Sequence, residues 1–312
     1  MKALIIGAAG FVGGHLATEL LNNGWDVCGT KLPTEAATLD IPVSGLDILD
    51  GAAVRGLLNK IKPDHVFHLA AQSSVPASWK QPALTVDVNV KGVVNLLEAV
   101  RDMETPPRIL LVGSGDEYGY IKPEELPVKE DTPLRPGNVY ACTKIAQGMM
   151  GQIYARAYGL DIIIVRAFNH IGPGQTDAFV VPAFCKQIAA IEAGRSENNG
   201  VIKVGNLDAK RDFTDVRDIV KAYHLLIEKG TPGEIYNVGS GTSMAIKDIL
   251  DELITLSKAE ITIQQDPSRM RPSDTPVIEA DISKLTSCTS WHPAIPLSAT
   301  LSDILTEWRM KY

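Results

Sequence analysis

Cysteine is scarce in this chain, and its placement builds no site. Cys28, Cys142, Cys185 and Cys288 are spread over 312 residues with no CxxC spacing. A disulfide framework is thereby excluded as an organising device, and a reducing cytoplasm is the compartment that fits. The six histidines form no HxxxH or HExxH pair, so a metal site has no support in the sequence. Basic charge is in deficit: 30 Lys and Arg stand against 37 Asp and Glu, a net charge of −7. Without a global positive field, nonspecific binding to nucleic acid or to an anionic membrane is not expected. A small anionic ligand, which needs only a local cluster of Arg, Lys or backbone N–H groups, stays open. No stretch approaches the roughly eighteen apolar residues of a membrane span. The opening "MKALIIGAAGFVGG" does not read as a signal peptide, because its short apolar run passes directly into a glycine motif. Internal repeats, low-complexity tracts and long linkers are missing as well.

The length that remains suits one large α/β unit or two lobes. The first half alternates short β-rich runs with helical patterns. "KALIIG", "DVCGT", "HVFHLAA", "RILLVGS" and "DIIIVRAFN" read as strands. Between them lie helical patterns over Phe11–Asn23, Gly51–Ile61, Pro82–Asp102 and Asn138–Tyr158. Continuous apolar strands separated by helices predict a parallel sheet covered on both faces, hence a doubly wound α/β (Rossmann) fold. The second half is less regular. It predicts helices over Ala178–Gly194, through about Lys229, over Ser243–Ser257 and at the C-terminus, with strands at "IKVGN", "EIYNVGSG" and "EITIQQ" and a turn-rich loop at "RMRPSDTP". Residues 1–170 are expected to form the dinucleotide-binding domain, with return segments at about 205–240. Residues 171–204 and 241–312 are expected to form a smaller α/β substrate lobe.

"IIGAAGFVGGHL" follows a strand and opens a helix. Gly7 would permit the tight turn, Gly10 the approach of a pyrophosphate, and Gly13 close packing of helix on strand. The N–H groups at the helix start, at Phe11 and Val12, would face the phosphates. The second strand ends in Thr30 and Lys31, where many NAD-binding proteins place a carboxylate for the ribose hydroxyls. A cation there attracts a 2′-phosphate, so NADP(H) is favoured over NAD(H), which stays possible. Asp47 and Ile48, after the next short strand, could hold the adenine edge, or Asp47 could be a plain turn carboxylate.

"NVYACTK" places Tyr140 and Lys144 four residues apart on one helix face. An ammonium near a phenol favours phenolate and would lower the tyrosine pKa from about 10 toward the working range. Such a tyrosine can give a proton to a carbonyl as hydride arrives. Ser114, at the end of the preceding strand, could share the same oxygen. Asp116 and Glu117 follow in "GSGDEYGY". Asp116 is a candidate proton-transfer group, whereas Glu117 reads as solvated or structural.

Together these residues resemble the extended short-chain dehydrogenase/reductase family, in particular its nucleotide-sugar-modifying members. The resemblance covers nearly the whole chain. It includes the glycine loop, "HLAAQSSV" with Leu69, Ala70, Ala71 and Ser73, "VNVKG" around Asn89, and Ser114, Tyr140 and Lys144. It continues through "RAFNHIGPGQ", "RDFTDVRDI", "YNVGSG" and "RPSDTP". It implies that Asn169 touches a sugar-nucleotide diphosphate and that Arg211, Arg271 and Asp274 contact phosphate or ribose. An arginine fork suits a pyrophosphate bidentately, although Arg211 could instead pair with Asp212 or Asp215. Within the family the chain looks most like reductases of GDP-4-keto-6-deoxy-D-mannose that form GDP-D-rhamnose. That implies NAD(P)H reduction of a C4 ketone on a GDP-linked sugar and a homodimer through a four-helix bundle. The sequence departs from the family pattern at Asn138-Val139, where Ser-Pro or similar is usual, and at Gly113, where Ser or Ala is frequent.

Two other enzymatic readings and one non-enzymatic reading compete. A GDP-mannose 4,6-dehydratase or related lyase would use Asp116, which occupies that activity's acid position with a side chain one methylene shorter than the usual Glu. A 4-epimerase is disfavoured by Lys31. A sensing scaffold for NADP or a nucleotide sugar is disfavoured by the intact Ser114, Tyr140 and Lys144.

Overall fold

The computed structural model describes residues 1–36, 39–196, 200–269 and 275–312. The first half alternates as expected. Strand β1 (Lys2–Ile6) leads into helix α1 (Phe11–Asn22), then β2 (Asp26–Lys31), β3 (Val43–Gly45), α2 (Gly51–Ile61) and β4 (His65–His68). Short helices α3 (Val75–Lys80) and α4 (Pro82–Val86) follow, and α4 runs through a π-helical turn at Asp87–Lys91 into α5 (Gly92–Arg101). Strand β5 (Arg108–Ser114), the long helix α6 (Val139–Tyr158) and β6 (Ile162–Ala167) complete the pattern. Asn138, one of the departures from the family pattern, caps α6: its side chain accepts the Ala141 N–H at 2.8 Å.

Seven parallel strands stand in the order β10-β6-β5-β4-β1-β2-β3, where β10 is Ile235–Val238. Successive residues of each strand face opposite layers. Ala3 and Ile5 point into one core, with Leu16 and Leu20 of α1 and with Tyr223 and Ile227 of α8 (Val216–Lys229). Leu4 and Ile6 point into the other, with Val54 and Leu58 of α2 and Leu96 and Leu97 of α5. The direction of winding reverses between β1 and β4, which leaves a crevice at their carboxyl ends, the place where ligands bind in such sheets.

The second half builds a smaller assembly. Strands β7 (Asn169–Ile171), β9 (Lys210–Asp215), β11 (Ser243–Ala245) and β13 (Val277–Ile278) form a four-stranded sheet centred on β9. Strands β8 (Val201–Val204) and β12 (Thr262–Gln265) pair separately. Helices α7 (Val180–Glu192), α9 (Ile246–Thr255) and α11 (Leu297–Met310) share one apolar core with it. Helix α10 (Ser283–Thr289) packs on α8 and β10 of the large sheet. The helix expected from Ser243 starts only at Ile246. Residues 243–245 are instead drawn into β11 by pairing with β9 and by the Glu279 carboxylate, which accepts both the Ser243 N–H and hydroxyl. Among the described residues no helix is long and apolar enough to cross a membrane.

Asp218 fastens the loop before α11. Its buried carboxylate accepts the N–H groups of Ala294 and Ile295 at 2.8 and 2.7 Å. Trp291 adds an indole N–H donated to the Asp218 carbonyl. Asp218→Ala strands two amides and is expected to lower the unfolding free energy by about 2–4 kcal/mol in a urea titration.

Candidate active site

The glycine loop closes on the crevice between β1 and β4. Gly7 sits at φ +92°, and a Cβ there would lie 2.8 Å from the Ala70 nitrogen. Its N–H donates to the Thr30 hydroxyl at 3.1 Å. At Gly13 a Cβ would lie 2.5–2.6 Å from backbone atoms of Ala8 and Gly7, so α1 can pack on β1 only without a side chain there. Gly10 differs: an added Cβ would meet only the Gly7 carbonyl, at 3.4 Å. Gly10 is also the N-cap of α1 and supplies no side-chain cap, and the first turn holds no acidic residue. The cradle thus combines a tight backbone floor with helix N–H groups free of side-chain caps, a fit for a dinucleotide pyrophosphate.

Phe11, the first residue of α1, stacks on His170 at 6.1 Å between centroids, while His15 reaches the Pro173 carbonyl at 2.9 Å. Cradle and "NHIGPG" loop are therefore in contact. Val12 packs against the core beneath. Lys31 is half-buried at the end of β2, its carbonyl bonded to Leu46 N–H. Asp47 is exposed and its carboxylate accepts Leu49 N–H at 2.9 Å, an Asx turn. Ile48 is buried against Gly92. Leu69 and Ala70 both donate their N–H to the Ile6 carbonyl, which sets the floor of the crevice beside Ala71. Ser73 is exposed on the loop that follows.

Asn89 lies in the π-helical turn, fully buried. Its amide accepts Gln72 N–H at 2.8 Å and donates to the Gln72 carbonyl and the Thr143 hydroxyl, both at 3.0 Å. It ties the loop after β4 to α6 and thereby positions the crevice wall.

Ser114 ends β5, where it pairs in register with Ala167 of β6. Tyr140 and Lys144 rise from α6 beside it, 9% and 4% exposed. The Ser114 hydroxyl faces the Tyr140 phenol and favours its ionised form; its oxygen accepts the Asp116 N–H at 3.2 Å. Lys144 does not reach that phenol. Its Nζ lies 6.0 Å from the ring centroid and donates to the Val112 carbonyl at 2.7 Å and to Gln147 Oε1 at 3.1 Å. The expected lowering of the tyrosine pKa is not found. Burial and the Asp116 carboxylate push the phenol above its ordinary value, with the Ser114 hydroxyl a partial offset. Burial also brings the Lys144 ammonium down to about 8, against the opposing pull of Glu117. Glu117 is not solvated. It is 2% exposed and paired with Arg166 at 2.9 Å.

Asn169 is exposed at the start of β7, two residues past Ala167, and Arg211 sits on adjacent β9. Asp212 and Asp215, the alternative partners for Arg211, are engaged elsewhere. Asp212 accepts from Ser240, Gly241 and Ala280, and Asp215 from Arg217 and Thr300. Arg271 and Asp274 lie outside the described residues. Sequence reasoning missed Thr30, Gln147, His68 and Arg166. Two carried a signal: Gln147 is one helical turn from Lys144, and Arg166 is the lone charge inside an apolar strand run.

A doubly wound sheet carrying these groups at its carboxyl edge defines an extended short-chain dehydrogenase/reductase. Residues 4–304 match the family model described as GDP-mannose 4,6 dehydratase, and the chain belongs to that family. It is 34% identical to a GDP-6-deoxy-D-mannose reductase of Pseudomonas aeruginosa over 99% of this chain and 98% of the relative. It is 26% identical to a GDP-mannose 4,6-dehydratase of Vibrio cholerae over 98% and 93%. The structure of RMD from Pseudomonas aeruginosa complexed with NADPH superposes with a TM-score of 0.89 at 32% identity, covering both chains fully. The UDP-glucose 4-epimerase of Thermus thermophilus in complex with NAD gives 0.88 at 28%, covering 99% of each chain.

The second and third glycines of the motif separate binding from folding. Gly10→Ala is expected to leave the melting temperature unchanged while weakening dinucleotide affinity at least tenfold. Gly13→Ala is expected to lower both. Calorimetry and fluorescence titration of the two variants read the difference.

Proposed function

We propose that this enzyme reduces the C4 ketone of GDP-4-keto-6-deoxy-D-mannose with NADPH and forms GDP-D-rhamnose. The observation that carries the reading is the Tyr140 phenol, buried, facing the Ser114 hydroxyl and raised by the Asp116 carboxylate. Such a phenol stays protonated at neutral pH, which is the state a ketone reduction requires of its proton donor. Full-length similarity to a GDP-6-deoxy-D-mannose reductase supports the same direction.

Bound in the Gly7–Gly13 cradle, NADPH supplies a hydride to the sugar carbon. Tyr140 delivers the proton to the carbonyl oxygen, and Ser114 orients that oxygen by hydrogen bonding. Lys144 holds the nicotinamide ribose and offsets the charge left on the phenol. Lys31 favours a 2′-phosphate on the adenosine ribose, so NADPH is preferred to NADH. Asp47 and Ile48 flank the adenine, and Leu69, Ala70 and Ala71 line the crevice, with Asn89 acting through Gln72. Ser73 and Asp116 contact the sugar, while Asn169, Arg211, Arg271 and Asp274 hold the nucleotide diphosphate. Residues 1–170 with α8 and β10 carry the dinucleotide, and the second lobe carries the sugar nucleotide. The reaction takes place in the cytoplasm, as the scattered cysteines suggest.

A homodimer through α4–α5 and α6 is part of the proposal. Those helices expose Leu84, Val86, Met149, Ile153 and Tyr158, each 44–56% accessible, an apolar face suited to a four-helix bundle.

Purified protein given GDP-4-keto-6-deoxy-D-mannose is expected to consume NADPH, faster than NADH. Ketone formation from GDP-mannose alone, without net NADPH loss, would replace the reductase with a dehydratase. In the same assay Tyr140→Phe should lose about 10²–10⁴-fold in kcat with cofactor binding retained; unchanged turnover would remove Tyr140 as the donor. Met149→Asp should convert the dimer to the 33.7 kDa monomer in sedimentation; a wild type that already sediments as a monomer would end the dimer assignment.

A further inference from the structure

Beneath Ser114 and Lys144 lies a buried carboxylate to which neither the sequence nor the reaction scheme gives a task. Glu117 belongs to the 3-10 turn Gly115–Tyr118 that ends β5. Its Oε1 accepts the Ser114 N–H at 2.8 Å, and its Oε2 accepts the Arg166 Nε at 2.9 Å. Arg166 is itself held by the Tyr118 hydroxyl at 3.1 Å and the Glu130 carbonyl at 2.9 Å. Tyr118 in turn donates to Asn237 at 2.6 Å. The carboxylate is thus fixed from two strands.

It also accounts for Gly113. A Cβ at that position would run into Glu117 Oε1 and lie 2.7 Å from the Val165 carbonyl. Gly113 and Glu117 form a matched pair in which the missing side chain makes room for the carboxylate.

Among the described residues Lys144 has only neutral oxygens as its hydrogen-bond acceptors, Val112 O and Gln147 Oε1. The groups facing it from each packed element are few. His68 of β4 is fully buried and kept neutral, its two ring nitrogens without a protein partner. Tyr140 comes from its own helix, backed by Tyr223 of α8, and Asp116 lies toward the phenol. Arg166 of β6 grips the far oxygen of Glu117. The Glu117 carboxylate flanks the same peptide as the ammonium: its Oε1 fills the Cβ space of Gly113, and the Val112 carbonyl just before it accepts from Lys144 Nζ, so this negative charge supports the ammonium.

We propose that Glu117 is a positioning residue: it anchors Ser114 through its backbone and supplies the charge that keeps Lys144 an ammonium inside a dry site. Its consequence for turnover rests on the ketone-reductase reading, but the arrangement can be tested without any substrate. Burial brings Lys144 down to about 8 even with Glu117 opposing, so loss of the Glu117 charge would lower it further and enlarge the uncharged fraction at neutral pH. The reductase would then lose its ribose contact and the offset for the spent phenol as pH rises through that lower value.

The test is a titration of the Lys144 Nζ signal in ¹⁵N-lysine-labelled protein, assigned by its loss in Lys144→Met. Glu117→Gln keeps an oxygen for the Ser114 N–H and removes the charge together with the acceptor for Arg166 Nε. Its midpoint is expected about one pH unit below wild type, while Glu117→Asp restores most of the difference. An unchanged midpoint in Glu117→Gln overturns the proposal. If Glu117→Gln fails to fold, the double variant E117M/R166M replaces the buried pair with apolar volume, a change such sites often tolerate. A shift in the same direction is expected there, and its absence also overturns the proposal. In turnover, the alkaline limb of kcat should move with the Nζ midpoint. A wild type that reduces no ketosugar would instead count against the reductase reading and leave the titration result standing.

Discussion

The site hangs on a carboxylate that never meets solvent. Glu117 joins the end of β5 to β6 through Ser114 N–H and Arg166 Nε. Because the two strands are also in register from Ile109–Ile162 to Ser114–Ala167, the loops leaving them start from fixed points. Ser114 and the Asn169 loop take their relative positions from that junction. A buried ion pair of this kind contributes little net stability, since desolvation offsets attraction, but breaking one partner is costly. Its contribution here is geometric: it adds a side-chain tie between the ends of two strands already paired in register.

Around this junction the ionisable groups divide by environment. Tyr140 is raised by burial and by Asp116, and Lys144 is lowered by burial alone, with Glu117 opposing. Both shifts follow from the helix sinking its Tyr-Lys face into the sheet edge. A proton donor that stays protonated beside a cation held near neutrality is the pairing expected of a reductive step. The Phe11–His170 stack extends the same compactness to the glycine cradle and the loop that starts at Asn169. The cofactor cradle and the loop expected to meet the sugar diphosphate share one aromatic contact.

Much of the first half is legible in its residue pattern. Strands such as "KALII" and "RILLV" are apolar on both faces, which is the mark of a parallel sheet covered twice, and β1, α2, β4 and β5 fall where the pattern puts them. The second half is less legible. β11 and β13 are three and two residues long and exist only because β9 lies between them. No local periodicity can announce a strand that short. The π-helical turn at Asp87–Lys91 is hidden for a related reason. Its sequence is ordinary helix, and the widened turn is accompanied by the bonds of Asn89 to Gln72 and Thr143.

For the site, spacing alone determined that Gly7, Gly10 and Gly13 fall at one strand–turn–helix junction and that Tyr140 and Lys144 share a face, because helical and turn geometry are local. Where charges would act was decided by tertiary structure. Lys144 turned to a carbonyl instead of the phenol. Glu117, which reads as one more polar loop residue, was buried under Ser114. A carboxylate's role depends on its dielectric surroundings and on which donors reach it, and both come from residues distant in sequence. Arg166, 49 positions away, decides what Glu117 is.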